Sequence, residues 1–340
     1  MAQGEEPVTD LARLSATLPK CHYQTILGGA YLGDARDLTR ALPDESVDLI
    51  MTSPPFALQR KKAYGNVDPS EYTEWFAGFS DEFWRVLRND GSLVLHIGGS
   101  WNQGEPTRSL YDVELLLYLC RDAEKKFFLA QEFFWFNPAR LPTPAEWVTV
   151  RRVRVKDAVD HVWWLSKSPH PRADNRKVLK AYSQSMKDLL KKGYVAKRRP
   201  SGHDISTKFG NDRGGAIPPN LLVIANTDSN SYYLRVCEAA GLKRHPARYP
   251  SGIPEFFVRF LTEPGDVVLD PFGGSNVTGE VAQALGRHWL CFELVEEYLE
   301  GSKFRFPLEL GGAEGIPTPR PKQTALFEAT ECPYSPKSSS

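Results

Sequence analysis

Residues Val267 to Glu293 leave this chain little choice of fold. Val267-Val268-Leu269-Asp270 is a short apolar run of strand character. Pro271-Phe272-Gly273-Gly274-Ser275-Asn276 is a turn, Val277 to Leu285 has helical spacing, and Trp289 to Leu294 is a second apolar run. Strand, glycine-rich turn, helix and strand in that order build a nucleoside-binding site. The glycines let backbone approach a ligand, and an acidic residue at the tip of the second strand accepts hydrogen bonds from both ribose hydroxyls. Glu293, 23 residues after Asp270, stands at that tip. Taken alone, the turn reads equally well as a helix start capped by Ser275 or Asn276. Strand context and Glu293 together favour the ligand site.

The preceding chain repeats the same alternation. Tyr31-Leu32-Gly33-Asp34 reads as a strand and turn, Arg36 to Leu42 as a helix, and Val47 to Thr52 as a buried strand. Tyr72 to Leu87 carries Trp75, Phe76, Phe79 and Phe83 at helical spacing, and Asn89-Asp90-Gly91 then breaks the pattern. Ser92 to Ile97 is a strand stopped by Gly98-Gly99, Leu110 to Lys125 a helix, and Phe133 to Phe136 and Asp160 to Leu165 two further strands. Ile253 to Leu261 is helical. This order predicts an α/β fold with a parallel sheet covered on both faces. The expected organisation is a loose leader over residues 1–20, a first half over 21–165, an inserted region over 166–240, a second half over 241–306 and a disordered tail over 307–340.

Charge marks the insertion. The chain of 340 residues is formally neutral, yet Arg140 to Arg213 holds 18 Lys or Arg against 7 Asp or Glu. A basic middle balanced by acidic flanks gives a polarised surface suited to phosphates. The five cysteines are scattered without a CxxC pair or zinc-ligand spacing, so neither a disulfide framework nor a metal site is expected. No apolar run approaches the roughly 20 residues of a membrane span. Met1 to Lys20 has no signal-peptide pattern, which makes the cytoplasm the expected compartment.

Ser53-Pro54-Pro55-Phe56 ends the strand at Val47 to Thr52 and brings a hydroxyl, a turn with free carbonyls and an aromatic face together. By itself it is an ordinary proline-stiffened turn. Beside a nucleoside site it suits the exocyclic amine of a flat ring.

These two motifs resemble the catalytic and cofactor motifs of amino-group DNA methyltransferases that use S-adenosylmethionine. Ser53 to Phe56 comes first, the basic segment next, and Asp270 to Asn276 last, so the chain resembles the circularly permuted β class, with a Rossmann-like sheet and an inserted target-recognition region. Met51 to Asn66, Val155 to Lys167, Arg199 to Asp204, Ile217 to Leu222 and His245 to Pro250 are similar to the PvuII-type N4-cytosine modification methyltransferases. The resemblance spans about Gly28 to Phe306. It implies methyl transfer to the N4 amine of a cytosine flipped out of double-stranded DNA, as the modification enzyme of a type II restriction-modification system acting as a monomer, with CAGCTG as an expected site. Ser53, Pro54, Pro55 and Phe56 are the implied catalytic residues. Asp34, Asp270, Pro271, Phe272, Gly273, Gly274, Ser275, Asn276 and Glu293 are the implied cofactor contacts, and Arg199, Ser201, His203 and Asp204 the implied DNA contacts. His96 stands where the resemblance leads one to expect an acid; it is open as a base assisting Ser53 or as a structural histidine. An N6-adenine enzyme and a DNA-binding module with an inactive pocket are the alternatives.

Overall fold

The computed structural model describes residues 10–57, 67–193, 211–227 and 231–311, which divide into two compact units. The larger unit comprises residues 1–173 and 220–320, the smaller 174–219 and 321–340. The larger begins with α1 (Asp10–Ser15), β1 (Tyr23–Gln24), β2 (Gly28–Leu32), α2 (Ala35–Ala41) and β3 (Val47–Thr52). Next come α3 (Tyr72–Val86), β4 (Leu87–Ile97), α4 (Tyr111–Leu117), β5 (Phe128–Phe136) and β6 (Val159–Ser166). The smaller unit contains α5 (Gln184–Lys192), whose Ser183 hydroxyl caps the Met186 amide at 3.3 Å and which has no buried residue. The larger unit then resumes with β7 (Leu221–Val223), α6 (Tyr232–Ala239), α7 (Gly252–Leu261), β8 (Val267–Asp270), α8 (Val277–Ala284), β9 (His288–Glu293), α9 (Glu296–Ser302) and α10 (Pro307–Leu310). Among the described residues, no helix is long and apolar enough to cross a membrane.

Nine strands form one sheet in the order β1-β2-β9-β8-β3-β4-β6-β5-β7. The five strands from β2 to β4 run parallel, as the alternation predicts, and are joined by helical crossovers. β6 departs from that expectation, running antiparallel to both β4 and β5. A parallel return needs a crossover to the other end of the sheet, whereas the chain from Asn137 to Ala158 brings β6 straight back beside β5. The expected break at Asn89-Asp90-Gly91 is instead a bulge within β4: Val47 pairs with Leu87 and Leu49 with Ser92, so the strand runs on past its turn-forming residues.

Both faces of the sheet are covered. Leu93, Leu95, Trp163, Leu165, Leu269, Leu290 and Phe292 join Phe76, Phe79 and Phe83 of α3 in one core cluster. Strand residues of the other parity meet the opposite layer, where Trp164 packs on Phe260 and Phe133 on Phe256 and Phe257 of α7. This burial explains why the central strands read as unbroken apolar runs.

Two expected boundaries move. The separate unit is 174–219 rather than 166–240, because Lys167 and Arg172 are tied to the sheet by hydrogen bonds to the Leu87 carbonyl and the Asp48 carboxylate. β7 pairs with β5, and so returns the chain to the same sheet by residue 221. The ordered body also runs past Phe306 into α10, where the Glu309 carboxylate accepts the Ile26 amide at 3.1 Å.

Chain direction across the sheet sets the site. From β3 the chain moves one way to β4, and from β8 it moves the other way to β9, so the connections diverge between β3 and β8. Such a divergence opens a crevice beyond the carboxyl ends of the strands, where ligands of open α/β sheets bind. Thr52 and Asp270, the last residues of those two strands, join there through a 2.7 Å hydrogen bond.

Candidate active site

A cavity of about 480 Å³ lies at this crevice and collects residues from both motifs. On its cofactor side the turn after β8 folds around three anchors. Gly273 has no room for a side chain, since a Cβ there would fall on the buried Cys291 sulfur, and Gly274 takes a left-handed φ of 53°. Glu293 fastens the turn to the end of β9: its carboxylate accepts the Gly274 amide at 2.8 Å and the Val295 amide at 2.9 Å. Burial raises the Glu293 pKa above its ordinary value and those backbone donors pull it back. Each oxygen accepts one of these amides and, as a carboxylate oxygen, has further acceptor capacity. Trp75 and Phe79 of α3 and Phe272 form the aromatic wall, with Phe272 5.2 Å from Phe79 between ring centres.

Of the implied cofactor residues, Asp34, Pro271, Phe272, Gly273, Gly274, Ser275 and Glu293 line the cavity, and Asp270 and Asn276 do not. Asp270 is buried beneath the floor, where it accepts hydrogen bonds from the Thr52, Thr278 and Tyr249 hydroxyls and from the Phe272 amide. Asn276 sits at φ 55° as the cap of α8, its side-chain oxygen accepting the Gly279 amide and its side-chain nitrogen donating to Tyr23. Both shape the turn from behind. Asp34 caps α2 through the Arg36 amide and pairs with the Arg36 guanidinium, so its carboxylate is partly engaged at the cavity lip.

The Ser53 to Phe56 turn lines the same cavity. Ser53 Oγ lies 2.9 Å from His96 Nδ1, and His96 Nε2 lies 3.4 Å from Asp160 on β6. Arg140 clamps both oxygens of Asp160 at 2.7 and 2.5 Å. Burial pushes the Asp160 carboxyl up, but hydrogen bonds from His96 and Arg140 and the Arg140 charge outweigh it and hold the pKa at about 2. The Phe56 ring stands edge-on to His96, and Trp135 and Tyr249 close on the same imidazole.

Sequence reading finds the turn residues and His96 but misses Asp160 and Arg140. Asp160 opens an aromatic strand and Arg140 sits in a proline-rich loop, and neither position signals a site until β4 and β6 are paired. Arg199, Ser201, His203 and Asp204 lie outside the described residues.

Residues of both motif turns thus line one cavity at the switch point of the α/β sheet, and residues 47–304 match the family of DNA methylases. The chain belongs to that family. It is 52% identical over 287 residues to the type II methyltransferase M.PvuII of Proteus hauseri, spanning 84% of this chain and 85% of that protein. It also resembles the solved PvuII DNA methyltransferase (cytosine-N4-specific), with a TM-score of 0.69 at 45% identity over 84% of this chain and 89% of that one. A DNA modification methylase structure from Thermus thermophilus shares the fold alone, with a TM-score of 0.52 at 22% identity over 84% of this chain and 96% of that one.

Proposed function

We propose that this protein transfers a methyl group from S-adenosylmethionine to the N4 amine of cytosine in double-stranded DNA, as the modification enzyme of a type II restriction-modification system. The observation that carries the reading is that Ser53 and Glu293, from the two separate motifs, line one cavity. The resemblance to the cytosine-N4-specific PvuII enzyme supports cytosine as the target.

The residues present fit the cofactor. Glu293 offers free lone pairs to ribose hydroxyls, the Gly273-Gly274 turn allows close backbone approach, and Trp75, Phe79 and Phe272 make a wall for adenine. The bound sulfonium supplies the methyl group and a good leaving group. A paired cytosine cannot reach the cavity, so the base leaves the stack at a cost of a few kcal/mol, part of which stacking on Phe56 returns. The Ser53 hydroxyl and the Pro54 carbonyl accept hydrogen bonds from the two amine N–H groups. That draws the nitrogen lone pair out of the ring, and held at the right distance it attacks directly.

The basic segment between the two motifs, including Lys187, Lys191 and Lys192 on α5, supplies phosphate contacts, and Arg199, Ser201, His203 and Asp204 read base edges. The enzyme works as a monomer without a metal in the bacterial cytoplasm, and CAGCTG is the first site to assay. Incubation with isotope-labelled S-adenosylmethionine and plasmid, followed by nucleoside mass spectrometry, should yield N4-methylcytosine; N6-methyladenine, or no labelled nucleoside, contradicts the reading.

Glu293→Ala should weaken S-adenosylmethionine binding by roughly 1 to 3 kcal/mol, the value of a hydrogen bond to a charged group plus the two amides it leaves unpaired. Calorimetric titration checks this, and an unchanged Kd would remove Glu293 from the ribose site.

A further inference from the structure

The chain Ser53, His96, Asp160 and Arg140 is longer than holding an amine requires. His96 and Asp160 are both almost fully buried, and Arg140 reaches them from the loop after β5. A carboxylate can only accept, so the contact at Asp160 makes His96 Nε2 the protonated nitrogen. In the neutral ring Nδ1 then carries a lone pair and accepts the Ser53 hydroxyl proton. This leaves the Ser53 oxygen, which lines the cavity, free to act as an acceptor. The ring cannot swing, because Phe56, Trp135 and Tyr249 surround it with ring centres 5.3, 5.2 and 6.0 Å away. Gly98, two residues on, makes this packing possible: a Cβ there would lie 2.5 Å from the Phe56 ring and 3.3 Å from Asp160.

We propose that His96 receives, through Ser53, the proton released by the methylated amine, and that Asp160 and Arg140 are positioning residues that hold its ring in the accepting tautomer. The proposal rests on the amine-methyltransferase reading above. In the transfer, the amine lone pair forms the new N–C bond, and the departing sulfur keeps the electron pair of the broken C–S bond. The nitrogen then bears one proton too many. That proton passes to Ser53 Oγ as the Ser53 proton crosses to His96 Nδ1, giving an imidazolium held against the Asp160 carboxylate. It is lost to water once product leaves, which restores the starting state. Among the described residues, the charged or titratable groups facing His96 are Asp160 with Arg140 behind it, and Tyr249, which leads to Asp270.

Two variants and one spectrum test this. His96→Asn keeps an acceptor for the Ser53 hydroxyl but cannot take its proton. Single-turnover transfer to duplex DNA should slow by about 100-fold, the lower end of what positioned proton transfer contributes. The acid limb of the wild-type pH–rate profile should vanish in the variant while the S-adenosylmethionine Kd stays within about twofold. Long-range proton–nitrogen NMR of the wild-type protein, with the His96 signals assigned by their loss in the variant or by selective labelling, should show Nε2–H. Asp160→Asn, whose amide can donate to Nε2, should convert the ring to Nδ1–H and slow transfer to a similar extent. A His96→Asn rate within about threefold of wild type with the same pH profile, or an Nδ1–H wild-type ring, overturns the relay. If wild type forms N4-methylcytosine and the variants match it, only the relay fails; if wild type forms none, the functional reading falls and the relay with it.

Discussion

Ser53→Ala is expected to lower kcat by about 10²- to 10³-fold, the range seen when a single hydrogen-bonding group directed at a transition state is removed. The amine of cytosine is a poor nucleophile because its lone pair is delocalised into the ring, and its pyramidal, reactive form depends on an acceptor drawing on its N–H. Ser53 Oγ lies 2.9 Å from His96 Nδ1, and in the tautomer proposed above its hydroxyl hydrogen is given to that nitrogen, which leaves the oxygen as an acceptor. Alanine removes the oxygen and leaves His96 Nδ1 without its Ser53 partner. The Pro54 carbonyl remains and can hold one N–H, so residual transfer should persist. The proposed cofactor contacts, the β8 turn and Glu293, are separate residues lining the same cavity, so S-adenosylmethionine affinity should stay within about twofold. The deficit should therefore appear in kcat and not in cofactor binding. A variant with wild-type kcat would take Ser53 out of the reaction, and one that has lost cofactor affinity in proportion would make the turn a binding element instead.

How far this site could be read in advance depends on whether its parts are local. The runs Val47 to Thr52, Val267 to Asp270 and Trp289 to Phe292 are legible because parallel strands buried on both faces must be apolar throughout, and each is buried here. The glycines of the β8 turn are legible because a left-handed φ and a contact with Cys291 exclude other residues. Residue type does not reveal which side of a turn a polar group faces. Asp270 and Asn276 carry the pattern of ligand contacts, yet they serve as floor and cap. Asp160 and Arg140 were hidden for a different reason. They stand 64 and 44 residues from His96 in sequence; Asp160 meets it because β6 lies antiparallel beside β4, a pairing that strand-and-helix alternation does not predict, and Arg140 joins through Asp160.

Asp270→Ala should cost the most stability of any single change at the site, about 3 to 5 kcal/mol, because it strands several donors in the interior. Thr52 and the Phe272 amide donate to one carboxylate oxygen at 2.7 and 3.2 Å, and Thr278 and Tyr249 to the other at 2.6 and 3.2 Å. With alanine, Tyr249 and Thr278 can still bond to each other, whereas the Phe272 amide and the Thr52 hydroxyl lose this partner. At roughly 2 °C per kcal/mol for a body of this size, melting should fall by about 6 to 10 °C. Asp270→Asn should be far milder, since its oxygen still serves Thr52 and Phe272 and its amide can donate to the two hydroxyls opposite. The comparison also has a sign in pH. Burial raises the Asp270 pKa despite its hydrogen bonds, so the folded state holds its proton more tightly than the unfolded chain. Wild-type stability from this group is greatest below the unfolded value near pH 4 and declines as pH rises through the raised folded value. Asparagine has no such term, so the melting temperature of Asp270→Asn relative to wild type should improve from about pH 4 to pH 7. A gap that widens over that interval would mean the charged carboxylate stabilises the fold, and Asp270 would then be an anchor because of its charge and not in spite of it.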